Sequence, residues 1–109
     1  MIEIGVQKKI EEMVRLIVER FHPDQIILFG SYARGEAGPD SDVDLLVVMP
    51  VSGSKRKIAV EIDLALAGSG LAKDIIVVTP EEFKRTRNVI GTIVYPAMRE
   101  GKVMYERAA

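Results

Sequence analysis

The 109-residue sequence predicts an α/β (α+β) fold: a small mixed β-sheet of about four strands with helices packed on it, in one domain spanning 1–109. Two observations carry most of that prediction. Apolar residues recur with helical spacing in the first twenty-one positions. The runs 25–29 and 43–49 are too apolar to face solvent on either side, which marks them as interior strands. The element order reads α β (short α) β α β α α β.

Ile10, Met13, Val14, Ile17 and Phe21 fall at i, i+3, i+4, i+7 and i+11, one face of a helix. His22-Pro23-Asp24 stops it, because a residue before proline avoids the helical region. Residues 25–29 form the first strand and 43–49 the second, which Pro50 ends. Ser52-Gly53-Ser54 leads to a helix over about 55–67, with Ile58, Ile62, Ala65 and Leu66 facing the core and Gly68-Ser69-Gly70 closing it. Asp74-Ile-Ile-Val-Val78 is the third strand. Thr79-Pro80-Glu81-Glu82 starts a helix, with Thr at the cap, Pro next and Glu three beyond the cap. A further helix covers 92–99 and Gly101 closes it. Residues 102–106 alternate polar and apolar, as an edge strand does.

Composition narrows the functional classes. The chain is 48% apolar and 28% charged, with a net charge of −1, so no broad basic face for nucleic acid is expected. There is no cysteine, which excludes disulfides and thiolate metal sites. No apolar run reaches the ~18–20 residues that span a bilayer, and the N-terminus lacks signal-peptide order, so the expectation is a cytoplasmic protein without membrane association.

The chemistry concentrates in Gly30–Asp44, GSYARGEAGPDSDVD. Strand side chains alternate, so Asp42 and Asp44 point the same way, about 6–7 Å apart at the backbone. Two carboxylates this close repel unless a cation neutralises them, and oxygen ligands of this kind suit Mg²⁺. Asp74 opens another strand and comes into reach if that strand neighbours the second. Three carboxylates can hold two ions about 3.5–4 Å apart, and Asp74 is the candidate general base. Gly30 allows a ligand close to the backbone. Ser31 is expected to cap a short helix through Tyr32-Ala33-Arg34, whose first amides offer a site for a triphosphate, with Arg34 adding a charge-assisted contact.

Gly30-Ser31, ten residues, then Asp42-Val43-Asp44 resembles the polymerase-β-type nucleotidyltransferase signature. The fuller string GSYARGEAGPDSDVDLLVV, with KDIIVV and the tail TIVYPAMREGKVMYE, resembles the minimal nucleotidyltransferases (MNT), the antitoxin half of HEPN/MNT toxin–antitoxin pairs. The resemblance covers nearly the whole chain. It implies that Gly30 and Ser31 bind the triphosphate, that Asp42 and Asp44 bind both metals, and that Asp74 serves one metal and the attacking hydroxyl. It further implies transfer of AMP from ATP to a tyrosine of a HEPN toxin, whose RNase activity is thereby shut off. Larger relatives carry a second domain for the acceptor; without one, the acceptor brings most of its own binding surface.

Plainer roles stand beside these. Asp42 lies in turn-rich Pro-Asp-Ser-Asp, Asp74 could be an ordinary strand-start charge, and Arg34 could pair with Glu36 or Asp40 on the surface. His22 reads as an exposed helix-end residue. Lys55-Arg56-Lys57 could meet phosphate or RNA, or simply solvate a helix start. Tyr32, Tyr95 and Tyr105 read as packing residues, with Tyr32 also near enough in sequence to contact a nucleotide. Val60 and Leu64 form a second apolar stripe on the 55–67 helix, which fits either a partner surface or cover by a terminal helix. An alternative to catalysis follows: an antitoxin that neutralises its partner by masking it.

Overall fold

The computed structural model describes residues 4–108. The elements are α1 (Ile4–Phe21), β1 (Gln25–Phe29), α2 (Ser31–Arg34), β2 (Val43–Val48), α3 (Lys55–Ala65), a 3₁₀ turn (Ala67–Ser69), β3 (Lys73–Val78), α4 (Pro80–Thr86), α5 (Val94–Glu100) and β4 (Lys102–Glu106). The four strands form one sheet in the order β3-β2-β1-β4. β1 runs antiparallel to β2 and β4, whereas β2 and β3 are parallel, so the sheet is mixed as expected. β1 and β2, the two most apolar runs, occupy the centre. β4 lies at one edge and β3 at the other.

Alternation along the strands divides the core into two layers. Ile26, Leu28, Val43, Leu45, Val47, Ile75 and Val77 face α1 and α3, meeting Ile10, Met13, Val14 and Ile17 of α1 and Ile62 of α3. Ile27, Leu46, Val48 and Val78 face the other way, against Phe83 of α4 and Val94 and Ala97 of α5. Burial on both faces explains why β1 and β2 show no polar–apolar alternation.

Local signals behave largely as read. Ser54 caps α3 by accepting from Lys57 N at 3.2 Å, and Thr79 caps α4 by accepting from Glu82 N at 3.1 Å. α3 is shorter than predicted: it ends at Ala65, and the chain tightens into the 3₁₀ turn before Gly70 at φ +77°. Gly101 closes α5 where the chain passes tightly over β1; a Cβ there would lie 2.9 Å from Leu28 O. Val60 and Leu64 are 50% and 68% exposed, so neither terminal segment covers the second stripe of α3 among the described residues.

Candidate active site

The end of β1 carries Gly30 to the start of β2. Phe29 stands opposite Asp44 in the antiparallel register, and Gly30 follows immediately. Gly30 adopts φ +75° and ψ −157°, a region that only glycine occupies without strain. A Cβ built on Gly30 would overlap Asp44 Oδ2 and lie 3.1 Å from its Cγ. The bare Cα of Gly30 therefore makes the space in which the Asp44 carboxylate sits.

The capping of α2 differs from the sequence expectation. Gly30, not Ser31, occupies the N-cap; Ser31 is the first helical residue and makes no side-chain cap. The unusual ψ of Gly30 starts the helix one residue earlier than a serine cap would. Gly35 then ends α2 in the left-handed conformation, and Glu36 N donates to Ser31 O at 2.9 Å. The chain returns to the sheet through a tight turn: Ser41 N donates to Gly38 O at 3.1 Å, and Gly38 N donates to Ser41 Oγ at 2.8 Å. Asp42 lies beyond that turn, so the turn itself is closed by Gly38 and Ser41.

The sheet register brings the third carboxylate in. Val43 N donates to Ala72 O at 2.9 Å, and the parallel ladder pairs Asp44 with Asp74. Neighbouring strands lie about 4.7–4.9 Å apart, so matched residues project side by side. Asp44 shares the parity of Leu46 and Val48, and Asp74 that of Val78; both belong to the α4/α5 face. Asp42 lies one residue before β2, outside the strand alternation expected for it. Asp42 and Asp74 are exposed and Asp44 is half-buried.

The charges of these groups act on one another. Asp44 has its pKa raised above the usual 3.8, first by burial, then by the charges of Asp74 and Asp42, with Arg34 acting in the opposite direction. Among the described residues, no three acidic or histidine side chains already converge on one point as a metal site. Mutual repulsion of like charges favours that spread. An all-oxygen donor set, including a carboxylate destabilised in its ionised form, fits a hard divalent cation.

Arg34 points across to α5. Its Nε donates to Glu36 Oε1 at 2.7 Å, and Nη1 reaches Glu100 Oε2 at 3.4 Å. Glu36 was an expected partner. Glu100, sixty-six residues away, had no local signal, and the expected Asp40 contact is not among the pairs formed. Tyr32 packs with the α1/α3 core layer, as do Tyr105 and the α1 side chains around it. His22 is exposed at the end of α1 with φ +50°. Lys55 pairs with Glu82 at 2.7 Å, which ties the start of α3 to α4. A cavity of about 410 Å³ lies elsewhere, between α1 and the end of α3, against Lys9, Met13, Leu16 and Leu66. It is on the opposite side of the sheet from the aspartates.

Residues 9–97 match the nucleotidyltransferase domain family. The protein adenylyltransferase MntA of Thermococcus cleftensis is 36% identical over 77 residues, covering 71% of this chain and 78% of that protein. Two Methanocaldococcus jannaschii proteins carry provisional protein adenylyltransferase names. One is 33% identical over 104 residues, covering 91% of this chain and 97% of its own. The other is 39% identical over 66 residues, covering 58% of this chain and 62% of its own. Among solved structures, a toxin–antitoxin with AMP-PNP superposes with a TM-score of 0.59 at 19% identity, covering 89% of this chain and 73% of that one. A tri-AMPylated Shewanella oneidensis HEPN toxin in complex with MNT antitoxin gives 0.51 at 18% identity, covering 93% and 72%. At these identities the solved structures speak for the fold. From the matched residues and the relatives that share most of its length, the chain belongs to the nucleotidyltransferase domain family, among the small enzymes that include the protein adenylyltransferases.

Proposed function

We propose that residues 1–109 act as one Mg²⁺-dependent adenylyltransferase domain that moves AMP from ATP to a tyrosine hydroxyl of a HEPN toxin, and so serves as its antitoxin. The observation that carries this reading is the seat of Asp44: Gly30 lacks a side chain where Asp44 needs room, and Asp74 stands beside it in register. The named relatives and the nucleotide-bound and AMPylated complexes of the same fold support the donor and the acceptor class.

Asp42 and Asp44 would hold two Mg²⁺ ions, with Asp74 on one of them. When bound, Mg²⁺ supplies neutralisation of the triphosphate and polarisation of the α-phosphate. The Gly30 turn would let the triphosphate approach the backbone, the Ser31 hydroxyl would hydrogen-bond it, and Arg34 would add positive charge from the end of α2. The Asp74 carboxylate accepts the proton of the acceptor hydroxyl. The hydroxyl oxygen bonds to the α-phosphorus, the bond from that phosphorus to the bridging oxygen breaks, and pyrophosphate leaves. A donor such as ATP fits a cytoplasmic enzyme.

Incubation with α-³²P-ATP, Mg²⁺ and a HEPN acceptor tests this. Label is expected on the acceptor with the wild-type protein and none with Asp42→Asn/Asp44→Asn. Equal labelling by both would remove the aspartates from the mechanism. The exposed Val60 and Leu64 favour a second reading, an antitoxin that masks its partner. That reading predicts stoichiometric inhibition that survives the aspartate substitutions.

A further inference from the structure

The turn between α4 and α5 carries three apolar side chains in solvent: Val89, Ile90 and Ile93 are 47%, 79% and 41% exposed. The turn is held by its own hydrogen bonds. Val89 N donates to Thr86 O at 2.9 Å, and Thr92 N donates to Val89 O at 3.4 Å. Thr92 Oγ1 lies 3.0 Å from Thr86 O and 2.9 Å from Val89 O, and it accepts from Tyr95 N at 3.3 Å. Thr92 thus pins the end of α4 to the start of α5, and the apolar side chains stand on a fixed turn. Apolar side chains grouped in solvent in this way mark an interaction surface. Their surroundings are basic. Residues 83–99 hold Lys84, Arg85, Arg87 and Arg99 and no acid, on a chain whose net charge is −1. All four cations are exposed, and none forms an ion pair among the described residues. The guanidinium of Arg87 stands 5.6 Å from the centre of the Phe83 ring and that of Arg99 5.4 Å from the centre of the Tyr95 ring. Such contacts orient the two cations without neutralising them.

Resting on the adenylyltransferase reading above for the identity of the partner, we propose that the 87–93 turn is the docking surface for the HEPN protein, and that it seats in an apolar hollow ringed by acidic side chains on that protein. An apolar centre with an arginine-rich rim is the anatomy of a protein–protein contact. Charge complementarity argues for an acidic partner. A second copy of this chain would set the same four cations against one another, which disfavours self-association through this surface. A nucleic acid would meet the cations, but the turn holds no aromatic ring on which a base could stack. Holding the turn in place before binding lowers the ordering cost of association. α4 and α5 pack on the face of the sheet to which Asp44 and Asp74 belong, so a partner held by the turn that joins them sits on that side of the sheet. Ile90, Arg87 and Arg99 therefore serve association and take no part in the transfer step.

The test measures association of the full chain with a folded HEPN acceptor by calorimetry without ATP, and label transfer separately with α-³²P-ATP and Mg²⁺. Ile90→Asp should raise Kd by about tenfold or more, the scale of a central apolar contact. Arg87→Glu/Arg99→Glu should raise it by a similar factor and flatten its dependence on salt. Leu64→Asp alters the exposed stripe of α3 and should leave Kd unchanged. A rise with Leu64→Asp and none with Ile90→Asp overturns the proposal and moves the interface to α3. Acceptor binding that no variant changes, with anionic vesicles or a poly-uridine RNA bound by the wild type and released by Arg87→Glu/Arg99→Glu, overturns it in favour of a lipid or nucleic-acid surface. The two readings fail separately. Association that ignores Ile90→Asp while label is still transferred overturns the docking surface alone. Association that responds as expected while no label is transferred supports the docking surface and overturns the enzyme reading. An acceptor that does not bind the wild-type protein overturns the docking surface, and label transfer then decides the enzyme reading by itself.

Discussion

Replacing Gly30 by alanine separates the two things this residue does. Its φ of +75° and ψ of −157° lie where an L side chain is strained, at about 1–3 kcal/mol. At about 4–8 °C per kcal/mol for a chain of this size, a 2 kcal/mol cost lowers Tm by about 8–16 °C. The new methyl would also collide with Asp44 Oδ2. That oxygen is the far end of a side chain, so rotation of the carboxylate relieves the overlap at little cost in stability. The same rotation takes Asp44 away from Asp74 and the Gly30 turn. A displacement of about 1 Å at a catalytic group costs on the order of 100-fold in rate. Gly30→Ala should thus remain folded, melt lower by the stated amount, and transfer AMP about 100-fold more slowly. Urea unfolding and a label-transfer assay on the same preparation read both effects. A variant that loses the predicted stability yet transfers within a few-fold of wild type would refute the claim that Gly30 is bare in order to seat Asp44.

Three further outcomes follow from the site. The folded-state pKa of Asp44 lies above the ordinary 3.8, so the native state holds more protons between the two values and stability falls as pH rises through that window. Without metal, Asp44→Asn should therefore be more stable than wild type at pH 7, with the gap opening as pH rises from acid; a gap that closes instead contradicts the electrostatics. Mg²⁺ at about 100 times its Kd should add about 2.7 kcal/mol to the wild-type protein and nothing to Asp42→Asn/Asp44→Asn, as thermal melts would show. Arg34→Gln should leave the fold intact, since both its ion pairs are exposed, and should raise KM for ATP; an unchanged KM would leave Arg34 as a tie between α2 and α5.

Much of this arrangement was legible because the local signals agree with the fold. The 10–21 periodicity marks α1, the two-sided apolar runs mark the central strands, and the serine and threonine caps start α3 and α4. Asp44 lies within β2, whereas Asp42 falls one residue before that strand, so alternation alone does not place the two together. Asp74 depended on a condition the sequence cannot supply, that β3 pairs with β2 in parallel, because strand neighbours are set by packing across the whole chain. The same applies to Glu100, which reaches Arg34 only after α5 crosses back to β1. Ser31 is not the cap because Gly30 takes the N-cap position and Ser31 is already the first helical residue. Serine is a good cap by residue type, but the glycine before it, with its positive φ, starts the helix.

The most direct test of the central claim is the intact mass of a HEPN acceptor after incubation with this protein, ATP and Mg²⁺. The account predicts acceptor heavier by one or more AMP groups with the wild-type chain and unmodified acceptor with Asp42→Asn/Asp44→Asn. An acceptor that is inhibited by both proteins while its mass stays unchanged would contradict it, and would leave masking as the mode of action.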